Sequence, residues 1–176
     1  AARTIFDTKS GRVVELQQRT RAGMQICSAD DAQPDAAWPD WHFDEHDLQN
    51  GGQDIAVAVS VSRPVKADVR RFLQGQSDIG HLVCADLTSG AAQNAVLNGA
   101  HSDVLAERLA NYIKAWRTRQ GGATPPQVHL FISAPYTFSF FLGRHVKLLK
   151  PVVLYEFDFD GERDSSYEAS LTIAGR

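Results

Sequence analysis

The chain has 176 residues, of which 43% are apolar, and its 18 basic and 21 acidic residues leave a formal net charge of −3. A chain of this length buries roughly 70% of its unfolded surface. It therefore needs neither a disulfide nor a metal to hold one core, or two small fused cores. The negative charge argues against broad, non-specific affinity for duplex DNA or for an anionic membrane. A small anionic ligand remains compatible with it, because such a ligand needs only local donors.

The two cysteines, Cys27 and Cys84, stand far apart and outside any C-x-x-C pair, so they predict neither a zinc site nor a disulfide framework. No apolar run approaches the ~18 residues of a membrane-spanning helix, and no secretory signal stands near Ala1. We therefore expect a soluble, cytoplasmic protein. Because the chain opens with Ala-Ala-Arg rather than Met, we also expect a domain of a longer polypeptide.

The first 53 residues predict little regular structure, with short strands at 12–16 and 24–27 and a surface loop rich in Asp, Pro and Gly over 30–52. From residue 54 onward the apolar pattern alternates between strand and helix periods. Strands are predicted at 55–61, 79–85, 128–133 and 152–159, helices at 64–73, 102–119 and 136–149, and an antiparallel edge strand at 167–173. This alternation predicts an α/β fold with a mainly parallel sheet.

Two of the strands run directly into a helix through a short break that ends in proline. The later break is Ser133-Ala134-Pro135, and the earlier one is Ser62-Arg63-Pro64. Proline opens a helix without losing a bonded N–H, and the backbone donors of the first turn stay free to bind an anion. The breaks lie 71 residues apart (62 to 133), which suggests an internal duplication without establishing one.

Two segments of the sequence resemble catalytic or metal-binding motifs, and neither resemblance is favoured. The segment 42–46, His-Phe-Asp-Glu-His, matches the H-x-x-E-H zinc pattern. Pro39 and Gly51 leave room for only a short helix there, so a surface loop is favoured. Ser133 lacks the glycines of a nucleophile elbow and is expected to act as a cap or as a hydroxyl donor to phosphate. Neither G-x-G-x-x-G nor a P-loop occurs, so no cofactor and no catalytic or metal-binding residue is predicted.

In an open α/β sheet the ligand lies beyond the carboxyl ends of the strands. Arg63 stands at the first break and is the best phosphate candidate. Tyr136 and Phe138 open the later helix and are candidates for stacking on bases. Trp38 and Trp41 either fold onto the core or contact a base or a partner. The predicted ligand-binding residues are Ser60, Ser62, Arg63, Pro64, Ser133, Ala134, Pro135, Tyr136, Thr137 and Phe138.

Three segments and one tyrosine together resemble a SAVED domain: Gln-Val-His-Leu-Phe-Ile-Ser-Ala-Pro at 127–135, Phe-Ser-Phe-Phe-Leu-Gly-Arg at 138–144, Pro-Val-Val-Leu-Tyr-Glu-Phe at 151–157, and Tyr167. The segment 54–72 is similar to the first strand and helix of that family. The resemblance implies a sensor domain of a bacterial anti-phage (CBASS) effector, built from two fused CARF-like, Rossmann-like halves. These halves would span residues 54–120 and 121–176, while residues 1–53 stay unassigned.

The resemblance also implies a function. Such a domain binds a cyclic di- or trinucleotide, with a cyclic dinucleotide such as a cyclic GMP–AMP (cGAMP) isomer favoured here, and it then forms a homo-oligomer that activates a linked effector. The short form is most similar to the HNH-linked type. DNA would then be bound only by an endonuclease domain outside these residues, and the sensor itself would not be an enzyme. Two alternatives stay open: a CARF-like ring nuclease that cleaves the cyclic nucleotide, and a protein-interaction module anchored by Trp38 and Trp41.

Overall fold

The computed structural model describes residues 14–20, 23–49, 51–159 and 167–175. The strands are β1 (Glu15–Thr20), β2 (Gly23–Ser28), β3 (Trp41–Asp47), β4 (Asp54–Ser60), β5 (Ile79–Leu87), β6 (Val128–Ser133), β7 (Val152–Phe157) and β8 (Tyr167–Ile173). The helices are α1 (Lys66–Leu73), α2 (Gly99–Gln120), α3 (Tyr136–Arg144) and α4 (Val146–Leu149). None of these helices is long and apolar enough to cross a membrane.

Six strands form one sheet in the order β3-β5-β4-β6-β7-β8, and β1 and β2 form a separate antiparallel hairpin. The central pairings, β5 with β4, β4 with β6 and β6 with β7, are parallel, whereas the outer strands β3 and β8 pair antiparallel. The predicted α/β fold with a mainly parallel sheet and an antiparallel edge is therefore confirmed. The sheet runs without interruption from β4 to β6, and the division into halves at residue 120 stays a prediction.

The central strand β4 is buried on both faces, which explains its nearly continuous apolar sequence. Its two faces carry side chains of different size. Val57 and Val59 pack in the larger core with residues of α2 and α3, whereas Ala56 and Ala58 lie in the smaller core with Val69 of α1. Helix α1 therefore covers one face of the sheet, and α2 and α3 cover the other.

The predicted surface loop over 30–52 is wrong for residues 41–47, which form edge strand β3 and pair with β5 along its whole length. The alternation of Trp41 and Phe43 with polar residues was the signal for this strand, but only one edge of it is paired and its sequence is strongly charged. The H-x-x-E-H pattern thus lies on a strand. At about 3.3 Å per residue, His42 and His46 are separated by about 13 Å of backbone, too far to share a metal ion.

Two side chains cap the first turn of helix α2. The side chain of Asn98 accepts a hydrogen bond from the N–H of His101 at 2.7 Å. The carboxylate of Asp31 accepts from the N–H groups of Gly99 and Ala100 at 2.8 and 2.9 Å. The helix therefore begins at Gly99, three residues before its predicted start at residue 102.

The other element boundaries differ from prediction by small amounts. Helix α2 ends at Gln120, one residue beyond its predicted end, and its C-cap is Gly121, whose φ of 69° lies in the left-handed region that glycine tolerates. The predicted helix over 136–149 is divided at His145 into α3 and α4. The final strand is confirmed as an antiparallel edge, and the predicted strand at 24–27 corresponds to β2. Part of the predicted strand at 12–16 lies outside the described residues.

Candidate functional site

A cleft opens at the carboxyl ends of β4 and β6. Strand β4 leads through α1 to β5 on one side, whereas its neighbour β6 leads through α3 to β7 on the other side. The chain therefore leaves β4 and β6 towards opposite faces, and this divergence is the switch point at which open α/β sheets bind ligands. A cavity of about 780 Å³ lies there, which we call the strand-end cleft. Its volume is within the range of about 300–1,000 Å³ that is usual for small-molecule sites.

The two breaks predicted from the sequence meet at this cleft. Ser60 and Ser133 are paired in the β4–β6 register. The carbonyl oxygen of Ser133 accepts hydrogen bonds from the N–H groups of Val61 and Ser62, both at 2.8 Å. The predicted residues that line the strand-end cleft are Ser62, Arg63, Pro64, Ser133, Ala134 and Pro135.

Three of the other predicted residues are buried. The hydroxyl of Ser60 accepts a hydrogen bond from the N–H of Val65 at 3.3 Å and so shapes the turn into α1. Thr137 and Phe138 lie in the core on the inner side of α3. The ring of Phe138 packs edge-on against Trp41 with their centroids 5.7 Å apart. The prediction that Phe138 stacks on a base is therefore wrong, because helix α3 turns this ring into the core.

Tyr136 is 44% exposed but lies outside the cleft lining. Its hydroxyl donates a hydrogen bond to the carbonyl oxygen of Gln17 at 3.0 Å. This contact joins the start of α3 to the β1–β2 hairpin, a long-range relationship that the sequence pattern does not reveal.

The two tryptophans proposed as partner anchors fold onto the protein instead. Trp41 is 8% exposed, and its indole N–H donates to the carbonyl oxygen of Leu105 at 2.8 Å. Trp38 is partly buried and packs on His101 with ring centroids 5.1 Å apart. Their core role was one of the two alternatives left open by the sequence.

Arg63 is the basic residue among the described residues that line the strand-end cleft. It is exposed in the cleft lining, and its guanidinium forms no ion pair with any residue of the described part of the chain. Two neighbouring cations of α1 are engaged elsewhere. Lys66 donates to Asp44 at 2.6 Å, and Arg70 contacts the Nε2 atom of His46 at 2.8 Å. These contacts hold both side chains against β3.

One wall of the cleft is aromatic, and its residues were not among the predicted ones. Its members, which we call the aromatic wall, are Tyr155, Phe157, Phe159 and Tyr167. Phe157 lies 5.0 Å from Phe159 and 5.3 Å from Tyr167 between ring centroids. Burial raises the pKa of Tyr167 to about 12, so its hydroxyl stays protonated at neutral pH. The signal in the sequence was the row of aromatics at the carboxyl end of the strand predicted at 152–159.

A series of side-chain contacts holds Tyr155 in place. Its hydroxyl lies 3.0 Å from the Nδ1 atom of His129, and the Nε2 atom of His129 lies 3.4 Å from Asp54. The ring of Tyr155 stacks on Phe131 with centroids 4.5 Å apart. Burial raises the pKa of Tyr155, so its phenol is neutral at neutral pH. The contacts hold this neutral group in the lining of the cleft.

Comparison with known sequences gives two findings. A sequence model of the SAVED family, described as the SMODS-associated and fused to various effectors sensor domain, matches residues 2–173. The CD-NTase-associated protein 4 of Enterobacter hormaechei subsp. hoffmannii (strain UCI 50) is 33% identical over 170 residues, which are 94% of this chain and 32% of that protein.

Comparison with solved structures points to the same fold. Two structures of the Acinetobacter baumannii Cap4 SAVED/CARF-domain containing receptor, one with the cyclic trinucleotide 2'3'3'-cAAA and one with 3'3'3'-cAAA, each align with a TM-score of 0.68. The identities are 14% and 15%, and the alignments cover 98% and 96% of this chain and 35% and 34% of those chains. The chain thus spans about a third of the length of the relatives it matches.

Proposed function

Because the chain belongs to the SAVED family of sensor domains, we propose that its strand-end cleft binds a cyclic oligonucleotide second messenger. The observation that carries this proposal is the position of Arg63 in a cleft at the switch point of the sheet, where its charge is not neutralised by an ion pair within the described residues. The Acinetobacter receptors of the same fold are known with cyclic trinucleotides, which supports the same ligand class here.

The contacts of the cleft indicate which donors a phosphodiester would use in this proposal. The backbone N–H of Ser62 is already bonded to Ser133, and the N–H of Val65 to Ser60. The side-chain donors at the first break are the guanidinium of Arg63 and the hydroxyl of Ser62, and a charge-assisted bond from Arg63 is the stronger of the two. At the second break, Pro135 gives α3 no side-chain cap, which leaves its first turn to a ligand or to water.

Two ligand sizes fit the proposal. The sequence favoured a cyclic dinucleotide such as a cGAMP isomer, whereas the receptors of similar fold carry cyclic trinucleotides. The difference is one nucleotide in the ring, and hence one phosphodiester and one base. Titration of both classes against the chain decides between them.

Ligand binding would change how protomers assemble and thereby act on a linked effector domain. We propose that the ligand favours one packing of adjacent protomers, because a ligand shifts an equilibrium only through different affinities for its two states. The resulting homo-oligomer would activate a linked effector in anti-phage defence, with an HNH endonuclease as the proposed effector and DNA as its substrate. The parts of the relatives that extend beyond this chain have room for such a domain.

Isothermal titration calorimetry tests the binding step. The 176-residue chain is titrated with cyclic di- and trinucleotides that differ in base and linkage, and with the linear form of each as a control. We expect saturable binding of at least one cyclic ligand and weaker binding of its linear form. Absence of binding across the whole panel at tens of micromolar protein would overturn the proposed function.

A ring nuclease is the second candidate, and one feature of the cleft favours it. Two acidic residues, Asp68 and Glu156, are among those that line the strand-end cleft. Carboxylates serve as general bases in hydrolysis when they reach the attacking group. Incubation of the protein with its cyclic ligand separates the two functions: a linear product that disappears in the Glu156→Gln or Asp68→Asn variant supports cleavage, and an intact ligand supports sensing alone.

A further inference from the structure

The strand-end cleft has two chemically different sides. Ser62, Arg63 and Ser133 supply hydroxyl and guanidinium donors on one side, at the ends of β4 and β6. Phe157 and Phe159 supply aromatic rings on the other, beyond the end of β7. A ligand that fills such a cleft carries an anionic part and a flat apolar part. Nucleotides have both, since each phosphodiester is joined through a sugar to a base.

Phe159 is the most exposed large apolar side chain of the described residues, with 74% of its surface accessible. Its ring is supported from one side by Phe157 at 5.0 Å, and Phe157 in turn stands nearly perpendicular to Tyr167. The ring is therefore backed by a packed aromatic cluster while its free face is open. An exposed aromatic in this position loses solvent contact when a base stacks on it.

The cation and the exposed rings lie at the ends of different strands. Arg63 follows the end of β4, whereas Phe157 ends β7, and β6 lies between these two strands. A guanidinium pairs with a phosphodiester, and an aromatic ring stacks on a base. The anionic part of the ligand is therefore assigned to Arg63, and the base to the rings of Phe157 and Phe159.

We propose that Phe159, supported by Phe157, is the platform on which a nucleobase of the ligand stacks. This inference rests on the proposed function and deepens it, because it states which wall meets the base and which meets the phosphate. It also replaces Tyr136 and Phe138 as stacking residues, since neither lines the cleft.

Substitutions of Phe159 test the proposal by calorimetry with the cyclic ligand that binds the unmodified chain. Loss of one base–aromatic stack in Phe159→Ala is expected to weaken binding about 5- to 100-fold. Phe159→Tyr retains the aromatic face and should bind as the unmodified chain does, whereas Phe159→Leu retains apolar bulk without the face and should bind nearly as weakly as the alanine variant. Met24→Ala is the control, because Met24 is 65% exposed on the β1–β2 hairpin and lies outside the cleft lining.

A cyclic ligand that carries 2-aminopurine adds a readout that depends on stacking. Its fluorescence should be quenched on binding to the unmodified chain and to Phe159→Tyr, and quenched less when bound at saturation to Phe159→Ala. If the unmodified chain binds the ligand and Phe159→Ala binds it equally tightly with equal quenching, the base platform is wrong and the proposed function stands. If the unmodified chain binds no cyclic ligand, both are wrong.

Discussion

Ser62 and Ser133 are joined by a backbone hydrogen bond of 2.8 Å, donated by the N–H of Ser62 to the carbonyl oxygen of Ser133. The same carbonyl accepts from Val61, so the ends of β4 and β6 are held together just where the chain diverges towards opposite faces of the sheet. The bond forms the base of the strand-end cleft. It also removes one backbone donor from the set that could bind a phosphate, which increases the importance of Arg63.

Arg63→Ala is expected to weaken binding of the cyclic ligand by about 1.5–3 kcal/mol, the usual range for a hydrogen bond to a charged group. Calorimetry measures the affinity, and thermal unfolding checks that the fold is intact. Arg70→Ala is the matched control, because it removes the same charge from α1 at a side chain that contacts His46 instead of the cleft. Equal loss of affinity in both variants would mean that only the overall charge matters.

Asp31→Ala is expected to destabilise the protein by about 1–2 kcal/mol, because the carboxylate binds the free N–H groups of Gly99 and Ala100 at the start of α2. Asp31 also accepts from the N–H of Ser28 at 3.2 Å, so it anchors the end of the hairpin at the same point. Urea unfolding followed by circular dichroism measures the change.

Asp35→Ala is the control for this variant. The carboxylate of Asp35 accepts a hydrogen bond from Ala37 at 2.9 Å in an exposed loop, without a helix end to bind. We expect a loss of less than about 0.5 kcal/mol, as for most surface substitutions. A loss as large as that of Asp31→Ala would contradict the capping role.

The sequence was sufficient for the central strands and helices because apolar periodicity and buried runs are local. It was also sufficient for the two breaks, since Pro64 and Pro135 mark them directly. It was insufficient where the outcome depends on distant parts of the chain. Strand β3 depends on pairing with β5, and the direction of Phe138 depends on the face of α3 that meets Trp41.

The aromatic wall shows the same limit on the functional side. Tyr167 begins β8 and pairs with Phe157 across the β7–β8 register. Their approach to Arg63 arises from the order of strands in the sheet, which the sequence pattern alone does not fix. The sequence thus predicted the side of the cleft that carries Arg63 and missed the aromatic wall.

Arg117→Met is expected to destabilise the protein by about 2–4 kcal/mol. The guanidinium of Arg117 donates to main-chain carbonyl oxygens at 2.7 to 3.2 Å and joins the end of α2 to the starts of β6 and β7. The substitution removes the guanidinium donors from these acceptors, and the cost of each unmet bond adds to the total. The carbonyl of Pro151 keeps one bond, from the N–H of Val128 at 3.0 Å. The acceptors are the carbonyls of Pro126, Leu148, Lys150 and Pro151.

Arg119→Met provides the comparison on the same helix. Arg119 is half-exposed and donates to Glu45 at 2.6 Å, an arrangement that contributes about 0–1 kcal/mol. Chemical denaturation of the two variants should therefore give clearly different midpoints. Similar midpoints would show that the carbonyl contacts of Arg117 add little to stability.

His101 is expected to make the protein less stable in mild acid. Its fully buried ring lies with Nε2 2.8 Å from the carbonyl oxygen of Pro39 and with Nδ1 accepting from the N–H of Leu97 at 3.2 Å. Both contacts suit the neutral ring, and burial lowers the pKa of His101 below its ordinary value of about 6.5. The unfolded chain therefore takes up a proton at a pH where the folded chain resists it.

The sign of the effect follows from proton linkage. Above pH ~6.5 the ring is neutral in both the folded and the unfolded chain, and the free energy of unfolding is not reduced by it. As the pH decreases from there towards the pKa of His101 in the folded protein, the free energy of unfolding falls by at most about 1.4 kcal/mol per pH unit. Urea unfolding between pH 7.5 and 5 should show this slope in the unmodified chain and a shallower one in His101→Gln, which does not titrate. His42→Gln, at an exposed position on β3, should retain the steeper slope. Identical slopes in all three proteins would remove His101 as their cause.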